Sequence, residues 1–537
     1  MSPLFGKSGM SPLFPFDDMT QRVPRRPTRP VPAAPPFGKV LVANRGEIAV
    51  RVIRALHEVG IRSVAVYSDA DRDALHVRFA HEAYPIGPPE PLASYLDIER
   101  IVETAKTAGA EAIHPGYGFL AENADFARAC ADAGLVFIGP PPEALEAVGD
   151  KVRARQMMVD AGVPVVPGTP PLSGDAEAVA AAREIGFPVL LKAAAGGGGK
   201  GMRVVRGEDQ LPSLLAQARG EAASAFGNDT VFMEKFVERP RHIEVQVLAD
   251  AHGDALWLGE RECSIQRRHQ KLIEESPSPV VDDETRTRIG ELAVRAIRAA
   301  GYVNAGTVEF LRGEDGSFYF MEVNARLQVE HPVTEEVTGI DLVKSMLDIA
   351  SGGRVPIAQD ELTMRGHAIE CRIIAEDPTR NFTPSPGTIR GLRPPAGPGI
   401  RYDDGTYAGY TVPVYYDPMI SKLIAWGRNR GEAITRMARA LDELRIDGLT
   451  TSISFHRKVM SHEAFLRGDL HTGFLEEHPE LLSLGDDPWL NEIAVIAAAV
   501  AHFRRLEARS ARGAASAGNS GNAEAGWKWF GRRGWRP

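Results

Sequence analysis

The sequence predicts an α/β protein of several domains, with an α+β character in part, and three observations carry the prediction. Its 537 residues allow two to four domains at ~100–200 residues each. Short apolar strands alternate with helical patterns from Lys39 onward, the signature of a parallel sheet covered by helices on both faces. Further along, one strand runs into four consecutive glycines, and two acid-bearing strands flank a tight turn.

Composition narrows the function. Lysine and arginine total 62 against 71 acids, a formal charge of −9, so neither a nucleic acid nor an anionic membrane is expected as partner. Cys130, Cys263 and Cys371 are the only cysteines, too few and too irregular for a disulfide framework or a Cys-rich zinc site; a reducing cytoplasm is expected. The longest late apolar run, Ile493 to Ala501, falls well short of the ~20 residues of a membrane span.

Residues 1–36 hold nine of the 39 prolines and four arginines unopposed after Asp18. No helix or strand can run through them, and they lack an apolar core of signal-peptide length. A disordered arm is expected. From Lys39, a strand to Ala43, a turn at Asn44 to Gly46 and a helix over Glu47 to Val59 open a Rossmann-like unit. Strands at Ser63 to Tyr67, Ala112 to His114 and Val136 to Ile138 continue it. The first turn lacks the spaced glycines of a dinucleotide fingerprint, so NAD is not implied.

From about Lys151 the character changes. The apolar strand Val189 to Ala193 enters Gly196, Gly197, Gly198, Gly199, Lys200 and Gly201, and Met202 to Val205 resumes a strand. Consecutive glycines cost conformational entropy and have no use in a core, so the loop either brings its backbone close to a ligand or hinges. The layout is a phosphate-covering hairpin, not a Walker motif, because Gly201 follows Lys200 where Ser or Thr is required.

Phe318 to Glu330 concentrates chemistry. Read as a strand, Phe318, Phe320, Glu322, Asn324 and Arg326 share one face. Thr307 to Leu311 is an earlier strand carrying Glu309, and a hairpin through Gly313 to Gly316 brings Glu309 towards Glu322. Two carboxylates and an amide oxygen suit Mg²⁺; a surface hairpin with ordinary ion pairs is the alternative. Lys192 closes an apolar strand, where burial requires an anion such as a phosphate. Lys151 follows Gly149-Asp150 at a helix start. The charged run Glu260 to Lys271 alone reads as a solvated face.

Together, Asn44 to Glu47, His114 to Gly118, Gly149 to Lys151, the glycine loop, Glu262 to Lys271, Asn324 to His331 and Tyr416 to Met419 resemble the biotin carboxylase family of ATP-grasp enzymes. The resemblance runs in order from about Gly38 to Gly473. It implies a Rossmann-like N-terminal domain (37–150), an ATP-grasp region (151–365) with a mobile lid at about 166–236, and a C-terminal biotin carboxylase domain (366–475). Residues 485–537 would be a helix plus flexible tail.

By position, the resemblance implies ATP contacts at Lys151, Lys192, Gly198, Gly199, Glu234, Lys235, Phe236, Val237, His242, His269, Glu309 and Glu322. Glu309, Glu322 and Asn324 match Mg²⁺ or Mn²⁺ ligands. Lys271, Arg326, Gln328, Val329 and Glu330 match a bicarbonate site, and Tyr117, Gly118 and Arg372 lie around biotin. Lys271, Arg326, Glu330 and Arg372 would be catalytic. Blander readings stay open: Glu234 to Val237 as an edge strand, His242 as a core histidine, Tyr117 as packing. The implied activity is ATP- and bicarbonate-dependent carboxylation of biotin through carboxyphosphate, the first half-reaction of an acyl-CoA carboxylase such as acetyl-CoA carboxylase of fatty acid biosynthesis. Its expected partners are a biotin carboxyl carrier protein and a carboxyltransferase subunit, with a homodimer as the assembly.

Two features depart from the family pattern. Ser452 stands where the family commonly has Asn, after Gly448-Leu449-Thr450-Thr451, and is expected to touch no chemistry. The carrier's biotinyl lysine sits between two methionines, yet no Met follows Met460 and the only later lysine is Lys528. Biotin is therefore expected on a separate carrier, not covalently on this chain. Asp487 to Arg509 reads as an amphipathic helix, Gly513 to Gly526 as a small-residue linker, and the Trp527, Trp529, Phe530 and Trp535 cluster with its arginines as a docking peptide or plain disorder.

Overall fold

A computed structural model describes residues 36–193, 202–226, 229–483 and 495–505. The proline-rich arm before it, the glycine loop Gly196 to Gly201, and the linker and aromatic cluster after 505 lie outside the described residues.

Strands β1 (Lys39–Val42), β2 (Arg62–Ser68), β3 (Glu82–Gly87), β4 (Ala112–His114) and β5 (Val136–Phe137) form a parallel sheet of order β3-β2-β1-β4-β5. Helix α1 (Gly46–Glu58) buries Ile48, Val52, Ile53 and Leu56 as the 3.6-residue spacing requires. The apolar patterns place β1, β2, β4, β5 and α1 to within a residue or two, whereas β3 was not read from the sequence.

Strand β6 (Val189–Ala193) pairs antiparallel with both β7 (Arg203–Val205) and β8 (Val231–Lys235), so the glycine loop does join two strands of one hairpin. The helix Asp175–Ile185 contributes Ala178 and Ala182 to the small core of this unit, beside Leu191 and Met233.

The largest sheet has eight strands, all antiparallel. Its order is β13 (Phe318–Asn324), β12 (Asn304–Arg312), β9 (Arg241–Ala249), β10 (Ala255–Arg267), β11 (Gln270–Ser276), β14 (His367–Ile374), then Met419–Gly427 and Ile400–Asp404. Because β11 pairs with β14, the sheet runs without a break from strands before residue 325 into strands after residue 366.

β13 corrects one expectation. Glu309 stands opposite Glu322, but Phe310 stands opposite Phe320, so Met321 is an extra residue and the strand bulges there. Alternation resets at the bulge. Phe318, Phe320, Val323 and Ala325 enter one core cluster, while Glu322, Asn324 and Arg326 line the cleft. The strand also stops at Asn324, leaving Arg326 beyond it. Residues 495–505 are helical with Val495, Ile496, Val500 and Phe503 exposed. No helix among the described residues is long and apolar enough to cross a membrane.

Candidate active site

A cleft of about 1990 Å³ opens between the β6–β8 unit and the large sheet, and reaches the end of the loop after β4. Tyr117, Gly118, Lys151, Lys192, Glu234 to Val237, His242, His269, Lys271, Glu309, Glu322, Asn324, Arg326, Gln328, Val329 and Arg372 all line it. Gly198 and Gly199 lie outside the described residues. Glu330 is fully buried just beneath the lining.

At the outer end, Asp150 caps the helix Lys151–Asp160 by accepting from the Val152 and Arg153 amides, which presents the exposed Lys151 at the helix start. Lys192 is bound at 2.5 Å to Glu234, which Arg155 also approaches at 3.4 Å. The 234–237 segment is tied down by backbone bonds from Lys235 N to Pro167 O and Phe236 N to Pro188 O. His269 sits exposed in the β10–β11 turn, where Arg268 and His269 both take positive φ.

The metal ligands proposed for this site fit a divalent cation. Glu309 and Glu322 are direct cross-strand partners, and Thr307 pairs with Asn324 one step along. The Glu322 carboxylate has no hydrogen bond or ion pair among the described residues, and burial together with the Glu309 charge raises it above the usual range. A cation between the two carboxylates would relieve that repulsion and suit the hard oxygen set.

The inner end is built around Lys271. Its Nζ donates to Glu244 Oε2 at 2.5 Å, Glu309 Oε1 at 2.8 Å and Glu330 Oε1 at 2.7 Å. Burial lowers the Lys271 pKa, but Glu244, Glu309 and Glu330 outweigh it and keep the ammonium charged. Burial likewise raises Glu309, against which Lys271 and His242 hold it below the carboxylate range. Glu330 is held well below that range, its burial outweighed by Lys271, Arg372 and Arg261. Arg372 completes the chain, donating to Glu330 Oε2 at 2.9 Å and through Nε to Glu274 Oε1 at 2.6 Å. Arg326 lies across the cleft, fixed by Glu122 at 3.0 Å and by the Asn324 and Gln328 oxygens. Asn44 donates to the Pro115 and Tyr117 carbonyls at 2.7 Å each, shaping the loop on which Tyr117 donates to Glu47.

Several residues of this network were not singled out by sequence reasoning. Arg261 is fully buried and spans Glu244, Gln246, Thr307 and Thr334. Within the same charged run, Glu260 pairs with Arg286 and Glu262 with Arg241. Glu260, Arg261 and Glu262 are interior rather than on a solvated face, because each charge meets a partner from another element, whereas Arg268 and His269 at the turn are exposed. Lys422, also fully buried, donates to the Val329 carbonyl at 2.8 Å and pairs with Glu47 at 3.2 Å. A lysine inside Ile-Ser-Lys-Leu-Ile-Ala-Trp, and the alternation His242, Glu244, Gln246, were the available signals: both place polar groups on an otherwise apolar strand. Ser452 acts on this network only through the backbone. Its hydroxyl donates to the Arg372 carbonyl at 3.0 Å and accepts from Ile374 N at 3.1 Å, so it fixes the backbone that carries Arg372.

The chain resembles known proteins along most of its length. Residues 36–145 match the biotin carboxylase N-terminal domain, 150–358 the carbamoyl-phosphate synthase L chain ATP binding domain, and 370–477 the biotin carboxylase C-terminal domain. The chain is 56% identical over 443 residues to a pyruvate carboxylase subunit of Methanothermobacter thermautotrophicus, covering 82% of this chain and 90% of that one. It is 54% identical over 442 residues to a biotin carboxylase of Nostoc, covering 82% and 99%. Among solved structures, the dimeric biotin carboxylase domain of Hydrogenobacter thermophilus 2-oxoglutarate carboxylase, in complex with MgADP, ADP and bicarbonate, superposes with a TM-score of 0.78 at 49% identity, covering 84% and 99%.

Proposed function

The chain belongs to the biotin carboxylase family of ATP-dependent ligases, and from that premise we propose that it carboxylates biotin on a separate carrier protein, using ATP and bicarbonate through carboxyphosphate. The observation that carries this is the buried chain Lys271–Glu330–Arg372, which joins a candidate anion site to a candidate biotin site through one carboxylate.

Bicarbonate is held by Arg326, Lys271, Gln328 and the Val329 amide, and Lys422 fixes the next peptide through the Val329 carbonyl. Glu330 enters ionised, as a base must, and its two cations keep it weak until the bicarbonate anion shares them. It then takes the bicarbonate proton, and the freed oxygen attacks the γ-phosphorus of ATP, giving carboxyphosphate and ADP. Lys151 and Lys192 face the phosphates, with Glu234 to Val237, His242 and His269 around the nucleotide. Bound at Glu309, Glu322 and Asn324, Mg²⁺ or Mn²⁺ supplies neutralisation of phosphate charge. Carboxyphosphate breaks into CO₂ and phosphate, the phosphate removes the N1 proton of biotin, and Arg372 holds the ureido oxygen as N1 attacks CO₂. Tyr117 and Gly118 border that end.

The division into residues 37–150, 151–365 with a lid at about 166–236, and 366–475 is proposed with this mechanism, as is a homodimer. The site handles only the biotin half-reaction, and relatives serve pyruvate and 2-oxoglutarate carboxylases. An acyl-CoA carboxylase remains our proposal for the complex, with the acceptor chosen by the carboxyltransferase partner. The test is ADP release by the purified chain with and without bicarbonate and free biotin. Release that requires bicarbonate and rises with biotin is expected; release indifferent to both would overturn the reading.

A further inference from the structure

Glu370 lies in the middle of β14, two residues before Arg372, and is fully buried with neither carboxyl oxygen hydrogen-bonded. Its register partner on β11 is Glu274. Directly opposed residues of antiparallel strands share a face, with Cβ atoms ~4.5–5.5 Å apart. Glu274 commits Oε1 to Arg372, while its Oε2 is also buried without a donor. Three donorless oxygens therefore belong to two neighbouring carboxyl groups.

The surroundings offer no other remedy. Opposite Glu370 on the next strand stands Ile424, which with Ala368 and the helix residues Val333 and Val337 forms an apolar cluster. Lys422 faces the same region but is committed to Val329 O and Glu47, and Arg372 is committed to Glu274 and Glu330. Arg261 is taken by Glu244, and Lys271 by three carboxylates. Two ionised carboxylates side by side in such a place, Glu370 with no cation of its own, are strongly unfavourable, whereas one proton between them removes a charge and supplies the missing donor.

We propose that Glu274 and Glu370 share one proton, forming an acid–carboxylate pair beneath Arg372 that positions this guanidinium and sets how much of its charge is left for biotin. Burial raises Glu370 well above the usual range, Lys422 opposing and Glu274 adding to it, and raises Glu274 to about 7, in keeping with the geometry. The proton comes from solvent on folding and is not consumed. With the pair at one negative charge, Arg372 faces it and Glu330; once Glu330 takes the bicarbonate proton, that second partner is neutral and the guanidinium turns to the anionic ureido oxygen. A doubly ionised pair would retain it. This consequence for biotin rests on the function proposed above, whereas the shared proton does not.

Infrared difference spectroscopy on the full chain at about pH 8 reads the proton directly, since an ordinary carboxyl is ionised there. A carboxylic-acid C=O band present in the wild type, lost in Glu370→Gln and shifted in Glu370→Asp, is expected. Superimposable spectra of wild type and variants in that region would overturn the pair, and Glu370→Asp decides alone if Glu370→Gln fails to fold. For the link to Arg372, Glu370→Leu should lose roughly tenfold more in kcat of biotin carboxylation than in bicarbonate-dependent ATP cleavage, with Glu370→Gln, which keeps a donor, restoring most of it. Equal loss of both activities, or no difference between Leu and Gln, would overturn that link. A wild type without bicarbonate-dependent ATP cleavage would instead sink the proposed function and leave the infrared result standing.

Discussion

Removing the Arg372 guanidinium separates the two stages of the proposed reaction, and the structure fixes what each should lose. Arg372 contacts Glu274 through Nε at 2.6 Å and Glu330 at 2.9 Å. In Arg372→Ala, Glu330 keeps Lys271 at 2.7 Å and stays ionised, so the first stage retains its base. Loss of a donor to a developing oxyanion costs about 10²–10³ in rate; biotin carboxylation should fall by that factor, and bicarbonate-dependent ATP cleavage by less than about tenfold. Glu274, left without this guanidinium, takes up a proton. Its folded value is already raised from 4.5 to about 7, so the stability it confers is present below about 4.5 and is lost as pH rises to about 7 in the wild type. Without Arg372, which lowers that value, the loss continues to higher pH at about 1.4 kcal/mol per unit. Urea unfolding at about pH 6 and about pH 8 should therefore show the variant losing roughly 1.4 kcal/mol more than the wild type over that interval. Equal loss of both activities, or parallel pH dependence of stability, would refute the placing of Arg372 between Glu274 and the biotin oxygen.

Glu330→Gln should abolish biotin-dependent turnover while leaving ATP binding nearly intact, as measured by calorimetry against steady-state assay, because it deletes the base and keeps the shape. Glu322→Gln should raise the Mg²⁺ concentration needed for half-maximal ATP cleavage, since an amide is a poorer ligand than a carboxylate; an unchanged requirement would remove Glu322 from the metal site. Ser452→Ala deletes two bonds to the backbone around Arg372, leaving the His456 contact to the Arg372 carbonyl at 2.7 Å, and should cost about 1–3 kcal/mol of stability, with biotin carboxylation suffering more than ATP cleavage. Co-expressed with a biotin ligase, the chain should show no covalent biotin by intact mass, because Lys528 stands between two tryptophans and not two methionines.

The glycine loop shows how far local pattern reaches. A strand entering it and a strand leaving it were legible as a hairpin, and β6 and β7 do pair. The parallel sheet, α1 and the Glu309–Glu322 opposition were legible for the same reason: each follows from a period of 2 or 3.6 and a turn. The family resemblance added the position of each proposed site residue, and the described ones come together in or just under one cleft.

The order of elements and the chemistry each carries are thus written along the chain. Where the alternation breaks is not, because the Met321 bulge depends on how β13 must fit β12. Nor is the interior position of Glu260 to Glu262, since burial of a charge depends on partners brought by other elements of the fold: Arg286, Glu244 and Arg241. Only the folded chain joins Lys271, Glu330, Arg372 and Glu274, whose contacts span up to 98 positions of chain, because no periodicity within a strand encodes which carboxylate a distant arginine will meet.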